Sequence, residues 1–174
     1  FKACEKAPQH NYIFLTKNPG RFQNIFLMNK LKITKNMWFG FSIENQEALN
    51  KIAMEARYLP QNSFISIEPL HGTVNLTKIY PNNKDVLLNF LNGHQYWLMG
   101  GDENGKRLKW VIVGAESGNR KGKIIPEKAW INSIVEQCKY AGIPVFMKDS
   151  LVPIIGEENM LREFPVELGR WKNE

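Results

Sequence analysis

Five short apolar stretches with strand character recur along the chain, beginning near residues 12, 37, 63, 110 and 144. Residues 11–16 are rich in β-formers and flanked by breakers. Residues 37–43 and 63–67 have the same character, and Pro69 ends the second of them. Trp110-Val111-Ile112-Val113 is a continuous apolar run, the pattern of a strand buried on both faces of a parallel sheet. Residues 144–147 complete the set.

Between the strands the period lengthens to that of a helix. Asn18 and Pro19 open a helix that aligns Phe22, Ile25 and Phe26. Asn45 is an N-cap, and Ala48, Leu49, Ile52, Ala53 and Ala56 form an apolar stripe to about Arg57. A third helix, over 126–141, buries Ile131, Ile134, Val135 and Cys138 and stops at Gly142. The interval between the third and fourth strands is longer. It predicts a short helix over 85–91, then a hairpin in which 95–99 and 107–109 flank the glycine-rich tip 100–105. Residues 157–163 suit a helical turn or two.

Strands alternating with helices predict right-handed βαβ units and an α/β fold with a parallel sheet. Most strand spacings are near the ~30 residues of such a unit. The expected architecture is a partial TIM-like (β/α) barrel with an inserted β-hairpin at about 94–109, an open doubly wound sheet being the competitor. The whole of 1–174 reads as one α/β domain. Residues 1–7 look like the last turns of a helix stopped by Pro8, so the chain reads as a fragment lacking N-terminal strands. The Tyr12 strand is then expected at an open edge, a surface on which a second chain can pair.

Three of the strands end in glutamate. Ser42-Ile43-Glu44 and Ser66-Ile67-Glu68 repeat one arrangement, and Trp110 to Val113 runs into Gly114-Ala115-Glu116-Ser117-Gly118. Alternate residues of a strand share a face. Gly40, Ser42 and Glu44 therefore share one, as do Phe64, Ser66 and Glu68, and Ile112, Gly114 and Glu116. Small residues followed by acids leave room at a barrel mouth and aim carboxylates into it, at the strand ends where parallel α/β folds carry chemistry. Glu44, Glu68 and Glu116 are thus the candidate catalytic acids, expected within one site ~10 Å across. Lys148 ends the last strand and joins them. Thr16, Ser42, Asn45, Ser66, Gly114 and Ser117 are the candidate ligand-binding positions around the same rim. The plainer alternative is that the acids cap helices or pair with Lys17, Lys148 or Arg120. His71 lies within reach of the mouth but reads more simply as a loop residue. His10 and His94 have no metal-ligand spacing. Trp38, Trp97, Trp110, Trp130 and Trp171 read as core or rim packing.

Composition narrows the function classes only modestly. No apolar run approaches the ~18 residues of a membrane span, and the first ten residues lack a signal-peptide core. Cys4 and Cys138 form no CxxC pair, which suits a reduced, cytoplasmic chain. The net charge of +6 permits nucleic-acid binding without requiring it, because the lysines are scattered and Arg120-Lys121-Gly122-Lys123 is the densest cluster. The glycine signatures of dinucleotide and P-loop sites are absent, as are G-x-S-x-G and H-E-x-x-H.

Several blocks carry a family resemblance. Phe14-Leu15-Thr16-Lys17-Asn18-Pro19, Trp38 to Gln46, Ser66-Ile67-Glu68-Pro69-Leu70, Trp110 to Gly118 and Gly142 to Lys148 occur in one order. Across Tyr12 to Asp149 the chain resembles phage and mobile-element proteins of unknown function sometimes called three-Cys-motif proteins. The resemblance implies a radical S-adenosylmethionine-like barrel. It also implies an iron-sulfur cluster held by three cysteines in an N-terminal loop that this sequence does not contain. S-adenosylmethionine and the cluster are therefore expected of the full-length protein, and neither of this fragment. The leading expectation is the C-terminal part of such an enzyme, with Ser42, Ser66, Gly114 and Ser117 bordering the cofactor or substrate and Glu44, Glu68 and Glu116 binding its polar groups. The alternatives are a non-catalytic phage module that binds nucleic acid, and a metal-dependent hydrolase using the three glutamates.

Overall fold

The computed structural model describes residues 1–28, 32–82 and 85–168. Trp171 lies outside them. Five strands build a parallel sheet: β1 (Tyr12–Thr16), β2 (Met37–Ile43), β3 (Ser63–Ile67), then β7 (Trp110–Val113) and β8 (Val145–Met147). They neighbour one another in chain order, β1-β2-β3-β7-β8, the order that successive crossovers over one face produce. The register is continuous across the middle of the sheet: Ser42 pairs with Ser66, and Ser66 with Ile112.

Helices cover one face. After α1 (Lys2–Lys6) come α2 (Gly20–Met28), α3 (Gln46–Ala56) and α4 (Lys128–Ala141), each following a strand. Asn45 caps α3 as its sequence predicts, accepting a hydrogen bond from the Ala48 amide at 2.9 Å. Helix α4 begins two residues later than Pro126, with Glu127 as N-cap and Gly142 as C-cap. Phe39, Phe41, Ile43, Ile65, Ile67, Val111, Val113, Val145 and Met147 point under this layer and form the main core. Phe39 is fully buried and meets Phe14, Phe22 and Phe26 at ring separations of 5.2, 5.3 and 4.9 Å. Burying one such ring stabilises the fold by about 1.5–3 kcal/mol before packing geometry is counted.

The opposite face holds a smaller aromatic cluster of Trp38, Phe64, Trp110 and Leu168, with Ile112 and Phe146 against it. Gly40 lies under the Phe64 ring, where any Cβ would overlap it. Trp97 and Trp130 pack against the main core, so these four tryptophans are structural.

The stretch between β3 and β7 departs from expectation. Residues 85–91 are not a helix. Val86–Leu88 is a strand, β4, pairing antiparallel with β5 (His94–Trp97), and Leu88 bridges Ile79. Tertiary pairing overrides the helical composition. The Asn89 side chain then accepts from the Leu91 and Asn92 amides and turns the chain at once. The hairpin exists, but its second strand is β6 (Asp102–Asn104), not 107–109. Gly100 and Gly101, at φ +96° and +113°, close the turn early. Leu108 and Lys109 instead lead into β7, their amides bonded to the Phe90 and Ser63 carbonyls. This small sheet contributes to the core. Leu76, Ile79, Val86, Leu88 and Phe90 belong to the main core, and Phe90 meets Phe41 edge to face at 6.0 Å. It covers the sheet where a βαβ unit would place a helix.

Past β8 the chain forms a short 3-10 segment, Asp149–Leu151, then α5 (Val152–Ile155) and a second 3-10 turn, Glu157–Asn159. The tail then returns antiparallel along β8: the Met147 amide bonds the Leu161 carbonyl and the Glu163 amide the Val145 carbonyl. Residues 160–163 are therefore extended, not helical. That side of the sheet is covered, whereas among the described residues no strand pairs with the outer side of β1. Ile13 and Leu15, on the face of Trp38 and Gly40, are about half exposed. No helix among the described residues is long and apolar enough to cross a membrane.

Candidate functional site

The strand ends on the C-terminal side of the sheet gather most of the candidate charged groups. Glu68 follows β3 and reaches sideways across β7. A Cβ on Gly114 would come within 2.9 Å of its Oε1 and 3.1 Å of its Cδ, so only glycine leaves room for this carboxylate. Lys148, just past β8, forms a salt bridge with Glu68, its Nζ 2.5 Å from Oε2. The pair is partly exposed and contributes about 0–1 kcal/mol at most, so it orients the carboxylate more than it stabilises the fold.

Backbone hydrogen bonds knit these ends together. The Glu68 amide bonds the Ile43 carbonyl at 3.0 Å, the Leu70 amide bonds the Gly114 carbonyl at 2.9 Å, and the His71 amide bonds the Glu44 carbonyl at 2.7 Å. The segment after β3 thus arches over the mouth. It carries the His71 ring between two carboxylates, with Nδ1 3.8 Å from Glu44 Oε2 and Nε2 3.6 Å from Glu116 Oε2. Behind Glu116, Arg120 donates through Nε at 2.5 Å and through a terminal nitrogen at 2.8 Å. That fork holds the Glu116 carboxyl below its usual range, against a smaller opposing effect of desolvation and with further help from the nearby His71.

A cavity of about 230 Å³ opens beside these groups, lined by Lys17, Ser42, Ile43, Glu44, Ala48, Lys51, Ile52 and Glu68. It offers two carboxylates, two ammonium groups and a hydroxyl over an aliphatic wall. A larger cavity of about 840 Å³ lies at the other end of the sheet, between Lys109, Pro144, Val145 and the tail around Phe164. Its lining mixes apolar residues with Arg107, Lys139 and Glu163, and Lys109 is already paired with Glu167 at 2.6 Å. The charged cavity is the better candidate because its acids, cations and hydroxyl converge at the C-terminal ends of the parallel strands, where α/β folds of this kind bind ligands.

The sequence-predicted residues are not placed alike. Glu68 touches both Gly114 and Lys148, and Ser42, Glu44 and Glu68 line the same cavity. Ser66 is buried beside Ser42. Glu116 belongs to the His71 cluster and is occupied by Arg120. Thr16 pairs with Phe41 and so sits on the helix-covered face, its hydroxyl accepting from the Asn18 amide at 3.0 Å. The Asn45 side chain is committed to capping α3. Ser117 is exposed in the loop beyond Glu116. Two of the plainer pairings, Lys148 with Glu68 and Arg120 with Glu116, are present as well.

His71 is the residue that sequence reasoning undervalued, and Lys51 the one it missed. The signal for His71 was its position three residues after Glu68, past a proline that turns the chain back over the strand ends. Lys51 lies one helical turn past Glu47 on α3, and nothing in its surroundings distinguishes it from a solvated lysine. Among the described residues no three His, Cys, Asp or Glu side chains are arranged to share a metal ion.

Neither the curated proteins nor the solved structures contain a match to this chain. A family model described as a protein of unknown function, DUF5131, matches residues 1–153. The match covers all five parallel strands and every group at the mouth, and the chain belongs to the DUF5131 family.

Proposed function

We propose that the chain forms the C-terminal part of a phage-related, radical S-adenosylmethionine-like enzyme, its five parallel strands being part of a (β/α) barrel. The observation that carries this reading is the charged cavity at the strand ends. Glu44 and Glu68 suit an ammonium group, Lys17 and Lys51 suit a carboxylate, and Ser42 suits a hydroxyl. That donor set fits the amino-acid end of S-adenosylmethionine. When bound beside a reduced cluster, that cofactor supplies the radical chemistry. The residues here bind and orient it, with Lys148 holding Glu68 in place.

The chain's own cysteines do not fit the cluster. Cys4 is buried on α1 and Cys138 is buried on α4 under the sheet, its thiol pushed up to about 12 by desolvation and by the charge of Glu163. A cluster requires thiolates at an accessible site. No step is therefore assigned to a cluster on this chain.

Calorimetric titration of the full-length protein with S-adenosylmethionine tests the reading. Binding that weakens at least tenfold in both Glu44→Gln and Glu68→Gln supports it, since a charge-assisted hydrogen bond contributes about 1.5–3 kcal/mol. Unchanged affinity in both variants removes the cavity from consideration.

A further inference from the structure

His71 has no role in the binding set just described, yet its side chain is only 17% exposed, as enclosed as that of Glu116. Its Nε2 is buried and has no hydrogen-bond partner among the described residues. The separations to Glu116 and Glu44, 3.6 and 3.8 Å, are too long for hydrogen bonds but within the range of direct charge attraction. The two carboxylates it faces differ in freedom. Glu116 is locked by the Arg120 fork, and only 17% of its side chain is exposed. Glu44 is 47% exposed and makes no side-chain hydrogen bond among the described residues, and it also lines the cavity. Any movement of the ring's charge therefore acts chiefly on Glu44.

We infer that His71 is a positioning residue whose protonation draws the Glu44 carboxylate out of the ligand cavity and toward the imidazole, so that its charge state regulates binding at the mouth. The inference rests on the reading of the cavity as a ligand site. The carboxylates facing His71 are Glu44 at the end of β2 and Glu116 on the loop after β7; Arg120 is paired with Glu116, and at the adjoining strand ends Lys148 is paired with Glu68. Glu68 and Lys148 neutralise each other and Arg120 neutralises Glu116, which leaves Glu44 as the carboxylate that answers to the ring. A neutral imidazole releases Glu44 to an incoming ammonium group, and an imidazolium competes with that group for it.

Two measurements on the full-length protein test this, one without ligand. In the unliganded protein the carboxyl carbon signal of Glu44 is expected to inflect together with the ring signals of His71 as pH is varied. The inflection should vanish in His71→Gln. A Glu44 signal that does not follow the ring overturns the proposal, whatever the ligand proves to be. In the second measurement, S-adenosylmethionine is the probe, and its affinity should rise roughly two- to fivefold from the acid to the alkaline side of that titration, the range of a partly exposed charge pair. His71→Gln should abolish the rise. If the variant keeps it, His71 is not the regulator. His71→Asn serves as a second variant should the glutamine fail to fold. Absence of probe binding at every pH defeats the S-adenosylmethionine reading alone, and the ligand-free titration then decides the role of His71.

Discussion

The Glu68 carboxylate lies directly against the Cα of Gly114, with Oε1 2.9 Å from where a Cβ would stand. One strand thus gives up a side chain so that the acid of its neighbour can lean across it toward Lys148. Gly114→Ala is expected to fold, because the obstructing group is the end of a side chain at a partly open mouth. It should displace Glu68, break the 2.5 Å contact with Lys148 and weaken ligand binding about tenfold, with a stability loss of about 1 kcal/mol. Thermal unfolding and calorimetric titration of the same variant separate the two effects.

Gly40→Ala provides the contrast. Its Cβ would run into the Phe64 ring, which is 1% exposed and held by Trp110 at a ring separation of 5.7 Å. That ring cannot step aside as a carboxylate can. The substitution should cost about 1–3 kcal/mol, read as a lowered midpoint of denaturant unfolding.

How much of this was legible in the sequence depended on the kind of interaction. The five parallel strands and the Asn45 cap follow from local chemistry, and each lies where its residues predict. The Ser-Ile-Glu repeats reveal by parity that Glu68 and Ser42 share a face. What escaped were relationships set by partners distant in sequence. Val86 to Leu88 read as helix because the cross-strand partner that makes them a strand, Trp97 with its neighbours, follows a turn. The strand Asp102–Asn104 read as a turn because nothing local shows how tightly Gly100 and Gly101 fold back. The enclosure of His71 depends on a backbone bond to Glu44, twenty-seven positions earlier, and no local pattern encodes it.

The Arg120 fork makes a pH prediction. Glu116 titrates below its ordinary value of 4.5 in the folded chain. A carboxylate depressed on folding contributes stability above its unfolded value and loses it as pH falls through the folded one. Arg120→Gln should therefore destabilise the protein at neutral pH and make no difference in strong acid, where both proteins hold Glu116 protonated. The Glu116 carboxyl signal should titrate closer to 4.5 in the variant. Parallel stability–pH curves for the two proteins would contradict this.

Cys138 carries the opposite sign. Its thiol rises from 9.0 to about 12 on folding. Unfolded chains lose the proton first, so the stability it contributes is complete below pH 9.0 and declines toward pH 12, by about 1.4 kcal/mol per unit at the steepest. At pH 8 the folded thiol should resist iodoacetamide and become reactive only on unfolding. Cys138→Ala should flatten the alkaline decline.

The central claim is that the charged cavity at the strand ends is the place where a ligand binds. Amide and side-chain shift mapping of the isotope-labelled full-length protein during titration with S-adenosylmethionine tests it most directly. Saturable changes are expected to concentrate on Lys17, Ser42, Glu44, Lys51 and Glu68, with a smaller response at Lys148. Changes centred instead on the cavity near Phe164 and Val145, or no saturable change anywhere, would contradict it.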